Sequence, residues 1–339
     1  MKHLAADSRI LVVGCGGTGS FVAEGLCRLL LNSDIPLILI DPDRIEPHNL
    51  LRQQFFAGDV GKFKSQALAD RLSRQYGRSI GYSVYPYMHD LVYKDLGGGL
   101  STRVAQGIIV SCVDNAATRC EIADTLQLGN WWLDVGNGYS SGQVLIGNVK
   151  NLEHLENGFD REKQEVYALP IPTLQLPSLR APPTRVANAN KDCAEALLSE
   201  EQSPVINQGM AVLVLEFMHR LLRGELSWMG AYLDMDAGTL QTVPADPEVI
   251  ARMLGAKVDT LIVGKPEWRP AKSDINWVKE LMATLPNGGK WVAPMGFTVI
   301  KNDERNIELI YDNDTPEVRE TAHRTIFIAQ RLGIKVTIK

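Results

Sequence analysis

Six residues, GCGGTG at 14–19, sit between an apolar run, Arg9-Ile-Leu-Val-Val13, and a stretch carrying Phe21, Val22, Leu26 and Leu29-Leu30 at helical spacing. Gly14, Gly16 and Gly19 match the pattern G-x-G-x-x-G in the setting it needs, after a strand and before a helix. Such glycines let backbone amides approach a phosphate at a helix N-terminus, where the dipole favours negative charge. Asp41 lies about 20 residues further on, where that fingerprint expects a ribose-binding acid. The segment behind it, DPDRIEPHNLLRQQF, adds Arg52 and Gln53, and Lys64 follows. A nicotinamide dinucleotide would use the glycines and one acid and leave those three side chains idle. A triphosphate would use them. Arginine grips phosphate oxygens through a planar fork, and lysine adds a mobile point charge. Asp114, just past the apolar run Gly107-Ile-Ile-Val-Ser111, can hold Mg²⁺ beside those phosphates. Together these residues describe an ATP site that works by stabilising phosphoryl charge.

The elements that must position them follow from periodicity. Strand, glycine turn, helix and the strand Leu37–Ile40 make a βαβ unit, which implies a parallel sheet. A helix is expected at Lys64–Tyr76, a weak strand at Ser83–Tyr85, and strands at Gly107–Ser111 and Trp131–Val135. Asp114 and Asn115 suit a strand end and a helix cap. Gly136 to Gly142 is too short for a crossover helix, so Gln143–Ile146 should begin an antiparallel extension. Residues 151–204 are polar and rich in proline, and read as a long excursion rather than a packed layer. A helix returns at Val205–Arg223, and a hairpin spans Ala231–Val243. From residue 246 a ββαβ-like tail reads as a small α+β module, with helices at 247–254, 274–284 and 316–332 and strands at 296–301, 306–311 and 334–338. The expected fold is therefore α/β, a Rossmann-like, mostly parallel sheet with an antiparallel extension, divided as 1–245 and 246–339.

At 339 residues the chain has room for two domains, and its formal charge of −5 argues against a nucleic-acid surface. The segment MKHLAADSRI lacks the apolar core of a signal peptide. Arg28, Asn32 and Asp34 interrupt the stretch judged closest to a membrane span, so no membrane association is expected. Cysteines at 15, 27, 112, 120 and 193 form no C-x-x-C pair, which points away from a structural zinc site and towards reduced thiols in the cytoplasm. Cys15, Cys27, Cys112 and Cys120 are expected to be packing residues, and His48 a turn residue.

Five ordered motifs narrow the reading: GCGGTG, D-x-D at 41–43, N-L-x-R-Q ending at Arg52-Gln53, V-G-x-x-K at Val60–Lys64, and D-N at 114–115. In that order the chain resembles the adenylation domain of the ThiF/MoeB family, which is similar to ubiquitin-activating enzymes. Within the family it is most similar to ThiF-related proteins of plasmid PRTRC cassettes. The resemblance is sharp over about 105 residues, continues more weakly through Asp134-Val-Gly-Asn137 to Arg223, and does not reach 247–339. It implies adenylation of the C-terminal carboxylate of a small ubiquitin-like or sulfur-carrier protein ending in Gly-Gly, with ATP and Mg²⁺, by a homodimer. Carried over by position, Gly14, Gly16, Gly17 and Gly19 would cradle phosphate and Asp41 would bind ribose. Arg52, Gln53 and Lys64 would contact phosphates, with Asp43, Asn49 and Asn115 assisting and Asp114 handling Mg²⁺. Asn49 could equally be a turn cap. The resemblance also implies a thiol in the crossover excursion that accepts the activated carboxyl, and Cys193 is the candidate. Its neighbours Asp192 and Glu195 oppose thiolate formation.

Two departures stand out. The paired C-x-x-C motifs of many relatives are absent, and so is their R-Y-x-R-Q-like segment before the first strand. Two rival readings remain: an NAD(P)-dependent oxidoreductase, and a non-catalytic nucleotide-binding interaction module.

Overall fold

The computed structural model describes residues 4–88, 105–181, 203–263, 272–293, 296–312 and 315–339. Cys193 lies outside them. Apolar runs, rich in Ile, Val and Leu, build a parallel half-sheet from Leu4–Val13 (β1), Leu37–Ile40 (β2), Ile80–Ser83 (β3), Ala105–Ser111 (β4) and Asn130–Asn137 (β5), in the order β3-β2-β1-β4-β5. Ile10 and Val12 of β1 join one buried cluster, while Leu11 and Val13 join a second. That period of two means the sheet is covered on both faces, as parallel sheets require. Helix α1 (Gly17–Leu29) links β1 to β2, and α2 (Lys64–Tyr76) precedes β3. The chain then crosses to β4 on the other side of β1. The strand order therefore switches between β1 and β4, and a crevice opens beyond their C-terminal ends.

Ala116–Thr125 (α3) leads from β4 to β5. The sheet continues antiparallel through Ser141–Gly147 (β6) and, after a short pair at Phe159–Asp160 (β7) and Glu165–Val166 (β8), through Trp228–Asp234 (β9) and Thr239–Pro244 (β10), in the order β5-β6-β9-β10.

The excursion is packed where it is described. Leu155, Ala168 and Leu169 are fully buried, and both ends of the Asn148 amide bond this segment, to Tyr167 O at 2.7 Å and Leu169 N at 2.8 Å. This corrects the expectation of an unpacked excursion: the run Tyr167-Ala-Leu-Pro-Ile171 fills the core despite its prolines.

Helix α4 (Pro204–Arg223) starts with the Ser203 side chain accepting from Val205 N and ends at Gly224 in the left-handed region, φ 73°. It buries Ile206, Met210, Val214, Phe217 and Met218. Among the described residues this is the one helix long and apolar enough, by length and composition, to cross a membrane. The expectation that no stretch approaches a span is corrected to that extent. Half of its apolar window is buried inside the protein, so its composition is also that of a core helix.

Compact units form at 1–264 and 265–339. The boundary differs from the compositional one at 245/246 because Pro247–Leu254 (α5), capped by Asp246, buries Ile250 and Ala251 in the first unit's core. In the second unit Lys290–Val292 (β11), Phe297–Asp303 (β12), Asn306–Tyr311 (β13) and Lys335–Ile338 (β14) form a sheet in chain order, parallel only at β13–β14. Helices α6 (Lys272–Thr284) and α7 (Pro316–Arg331) belong to this unit, where Val278, Leu281, Phe297, Val299, Leu309 and Ala322 share a core. Lys301, almost buried, donates to the carbonyls of Met282 and Leu285 at the C-terminal end of α6. Strand β11 was not expected, being short and preceded by a turn.

Candidate active site

A cavity of about 610 Å³ occupies the crevice beyond β1, β2, β4 and β5. Gly14, Gly16, Gly17, Asp41, Asp43, Asn49, Arg52, Gln53, Lys64, Asp114 and Asn115 all line it. Eleven candidates from four separate segments are thus brought together. Gly19 is not part of the lining: a Cβ there would sit 1.8 Å from Gly14 O, so this glycine serves the close packing of α1 on the turn. Gly14 has φ +88°, a conformation L side chains rarely adopt, and a Cβ would meet Cys112 O at 2.7 Å. At Gly16, the N-cap of α1, the nearest side chain is Gln53 Nε2 at 3.7 Å, so the space beside it is open to the cavity. The first amides of α1 have no partners within the helix and suit an anion.

Asp41 is buried at the end of β2, and both carboxylate oxygens already accept backbone amides, from Cys15 N at 2.6 Å and Asp43 N at 2.8 Å. Burial raises its carboxyl above the ordinary value, against the pull of those amides and of Lys64. The first bond ties the glycine turn to β2. Lys64 opens α2 and reaches back to Asp43 Oδ2 at 2.9 Å; its side chain is 10% exposed and that of Asp43 66%. Asn49 does cap its own turn, accepting from Glu46 N at 2.9 Å, and still lines the cavity. Gln53 is 9% exposed, and its buried Oε1 has no hydrogen-bond partner among the described residues. A buried orphan acceptor on a cavity wall is costly unless a ligand satisfies it.

Asp114 is exposed at the cavity mouth, whereas Asn115 uses its Oδ1 to accept from Thr118 N at 2.8 Å, capping α3. Beneath them lies a buried chain of bonds. Trp132 Nε1 donates to Ser111 Oγ at 2.7 Å, and Ser111 donates to Asp134 Oδ1 at 2.6 Å. Arg119 Nε spans both Asp134 oxygens at 3.0 and 3.1 Å, and its Nη2 donates to Val113 O at 2.7 Å. Burial pushes the Asp134 carboxyl up, while Arg119 and Ser111 hold it down. Burial likewise raises the thiols of Cys15, Cys27 and Cys112, which fits packing cysteines rather than nucleophiles. His48 lines the cavity from an exposed turn and faces Glu46.

Sequence reasoning gave no site role to Arg119, Thr18, Asn137, Gln143 or Asn207. All but Asn207 line the cavity. Asn207 did carry a signal, as a carboxamide inside the apolar run of α4 that proves to be fully buried.

Residues 2–167 match the model of the ThiF family. This segment is a ThiF-family domain. It contains every lining residue of the cavity and leaves out Asn207 and Cys193. The ubiquitin-like modifier-activating enzyme 5 of Rattus norvegicus is 30% identical over 135 residues, 38% of this chain and 32% of that protein. Its Oryza sativa subsp. japonica counterpart is 30% identical over 157 residues, 43% and 35%. The adenylyltransferase and sulfurtransferase uba4 of Neosartorya fischeri is 30% identical over 144 residues, 42% and 26%. The chain thus spans about a third or less of the length of these relatives. Among solved structures, PaaA is 17% identical with a TM-score of 0.46, over 70% of this chain and 64% of that one. E. coli MccB with ATP is also 17% identical, with a TM-score of 0.44 over 71% and 64%.

Proposed function

We propose that this chain is an adenylyltransferase that uses ATP and Mg²⁺ to activate the C-terminal carboxylate of a small ubiquitin-like or sulfur-carrier protein. The observation that carries the reading is the convergence of the glycine turn, Arg52, Gln53, Lys64 and Asp114 on one cavity at the strand-order switch. Its ThiF-family segment and its relatives, which include a ubiquitin-like modifier-activating enzyme and an adenylyltransferase and sulfurtransferase, support the same chemistry.

In this reading the α1 N-terminus and Gly16 take phosphate oxygens, and Arg52 and Lys64 neutralise their charge. The unpartnered Gln53 Oε1 accepts a hydrogen bond from a nucleotide donor group such as a hydroxyl. Asp41, although already bonded by two amides, keeps lone pairs for a ribose hydroxyl. A lone exposed carboxylate suits Mg²⁺, which keeps waters and phosphate oxygens in its shell, so Asp114 would hold it. Bound there, the ion would neutralise charge on the departing pyrophosphate. A carboxylate oxygen of the carrier attacks the α-phosphorus in line; the new O–P bond forms as the bond to pyrophosphate breaks. Positioning and charge neutralisation suffice, since the nucleophile is already ionised. Cys193, having lost its thiol proton to solvent, would then attack the carbonyl carbon of the acyl adenylate, the new C–S bond of the thioester forming as the acyl–oxygen bond breaks and AMP leaves. A homodimer, a Gly-Gly carrier tail and a cytoplasmic location belong to the same proposal.

Carrier-dependent ATP–pyrophosphate exchange tests it. Exchange should be present in the wild type and lost in Arg52→Ala and Asp114→Ala; no exchange with a cognate carrier would leave a nucleotide-binding module. ATP·Mg should raise the melting temperature where NAD(H) does not, and the reverse would make the chain an oxidoreductase. Cys193→Ala should keep exchange and lose any thiol-linked carrier adduct.

A further inference from the structure

Gly17 is the one glycine of GCGGTG that the G-x-G-x-x-G pattern does not require. The structure gives it a reason. A Cβ at Gly17 would lie 2.3 Å from Asn207 Nδ2, 2.6 Å from its Cγ and 2.8 Å from its Oδ1. The Asn207 amide, fully buried in the first turns of α4, is pressed flat against the N-terminus of α1. From there it makes three connections. Its Nδ2 donates to Arg52 O at 3.4 Å, its Oδ1 accepts from Asn137 Nδ2 at 3.0 Å, and Thr18 Oγ1 lies 3.3 Å from the same Oδ1. Thr18 is also 3.1 Å from Asn137 Oδ1, so its single proton is shared between two acceptors. Three cavity-forming segments meet on one carboxamide: the start of α1, the Arg52 turn and the end of β5.

We propose that Asn207 is a positioning residue that pins the Arg52 backbone against the N-terminus of α1, so that the arginine and the helix amides face the same phosphates. The proposal rests on the nucleotide reading of the cavity for its consequence, but not for the pin itself. Within the turn at Arg52 and Gln53 both amides donate to Asn49 O, at 3.2 and 2.9 Å, and the next residue is tied to α1, Gln54 N donating to Ser20 Oγ at 3.3 Å and Gln54 Nε2 to Glu24 Oε2 at 2.7 Å. Asn207 adds a tie from the Arg52 carbonyl itself to α4. A buried amide with all its polar atoms engaged fixes one arrangement of its neighbours, and an unsatisfied one does not.

The test uses the full chain and two substitutions that strike the pin from opposite sides. Asn207→Asp keeps both acceptor contacts and replaces the donor to Arg52 O with an oxygen. Gly17→Ala displaces the amide without changing it. In the nucleotide-free protein both should speed hydrogen exchange in peptides covering residues 49–55 and leave β1 and β4 unchanged. Exchange at 49–55 that matches the wild type in both variants overturns the pin, whatever the cavity binds. For the consequence, ATP·Mg affinity is measured in a double-mutant cycle with Arg52→Ala. Asn207→Asp should weaken binding about tenfold, or about 1.4 kcal/mol, in the wild-type background and have little effect once Arg52 is removed. Equal losses in both backgrounds would mean that Asn207 does not act through Arg52. A wild type that binds no ATP, with the exchange result intact, would count against the adenylyltransferase reading and not against the pin.

Discussion

Asn115 accepts a hydrogen bond from Thr118 N through its side-chain oxygen, while its neighbour Asp114 is exposed at the cavity mouth with no ion pair or hydrogen bond among the described residues. The two should therefore separate stability from binding. Asn115→Ala removes a helix cap and should cost about 1 kcal/mol in urea unfolding with ATP·Mg affinity unchanged. Asp114→Ala should leave stability within about 0.5 kcal/mol and weaken ATP·Mg binding. The opposite pattern would reassign both residues. Asp41 makes a different prediction, about pH. Burial raises its carboxyl above the ordinary value of 3.8. From about pH 3.8 up to the raised value, the folded protein holds a proton that the unfolded chain has released. Stability from this group is thus full below that window and lost as the pH rises through it. Asp134 acts in the same sense, and Glu24, whose carboxyl is lowered, in the opposite one. Both remain in Asp41→Asn, so the difference between the two proteins isolates Asp41. The melting temperature of the variant should fall less steeply with rising pH in that window, and a steeper fall would reverse the assigned sign.

The glycine turn shows which structure can be read locally and which cannot. Gly19→Ala would drive a methyl group to 1.8 Å from Gly14 O, so α1 must move off the turn. A loss of about 3 kcal/mol or more in chemical denaturation is expected. Gly16→Ala, with its nearest neighbour at 3.7 Å, should unfold like the wild type and weaken ATP·Mg binding, because the methyl enters the cavity. If the two glycines gave the same phenotype, the division between packing and binding would fail. The pattern G-x-G-x-x-G was legible because strand, turn and helix are contiguous in sequence, and so were the strand ends carrying Asp41 and Asp114. The contact between Asn207 and Gly17 was not, because it joins residues far apart in the chain and neither type signals its partner. Arg119 was passed over because a basic residue on a short helix normally faces solvent, and only the fold places buried Asp134 beside it. The excursion was misread because proline count outweighed the five-residue apolar run Tyr167–Ile171. Prolines at Pro170 and Pro172 end up buried, and Pro170 O packs where Gly147 lacks a Cβ.

At the scale of the molecule, all the cavity-lining residues belong to the unit 1–264, which also has its own core on both faces of the large sheet. The unit 265–339 has a separate core, built around Phe297, Val299 and Leu309 with the edge-to-face rings Trp277, Trp291 and Phe297. Nothing in the nucleotide reading draws on the second unit. A fragment ending at Gly264 should accordingly fold and keep the ATP·Mg response of the full chain. Ligand at about one hundred times its Kd stabilises a folded state by about 2.7 kcal/mol, so the rise in melting temperature is large enough to compare between fragment and full chain. The comparison is informative because a unit of about 75 residues sits near the lower limit at which a single core is self-sufficient, whereas one of about 260 residues does not. If the fragment folds with the far-ultraviolet signature of its large sheet and helices but shows no ATP·Mg-dependent rise, the second unit contributes to the site and the assignment of all binding residues to 1–264 is wrong. If the rise matches, the second unit is free for another task in the reaction, such as choosing the carrier, and exchange measured with and without residues 265–339 would read that task directly.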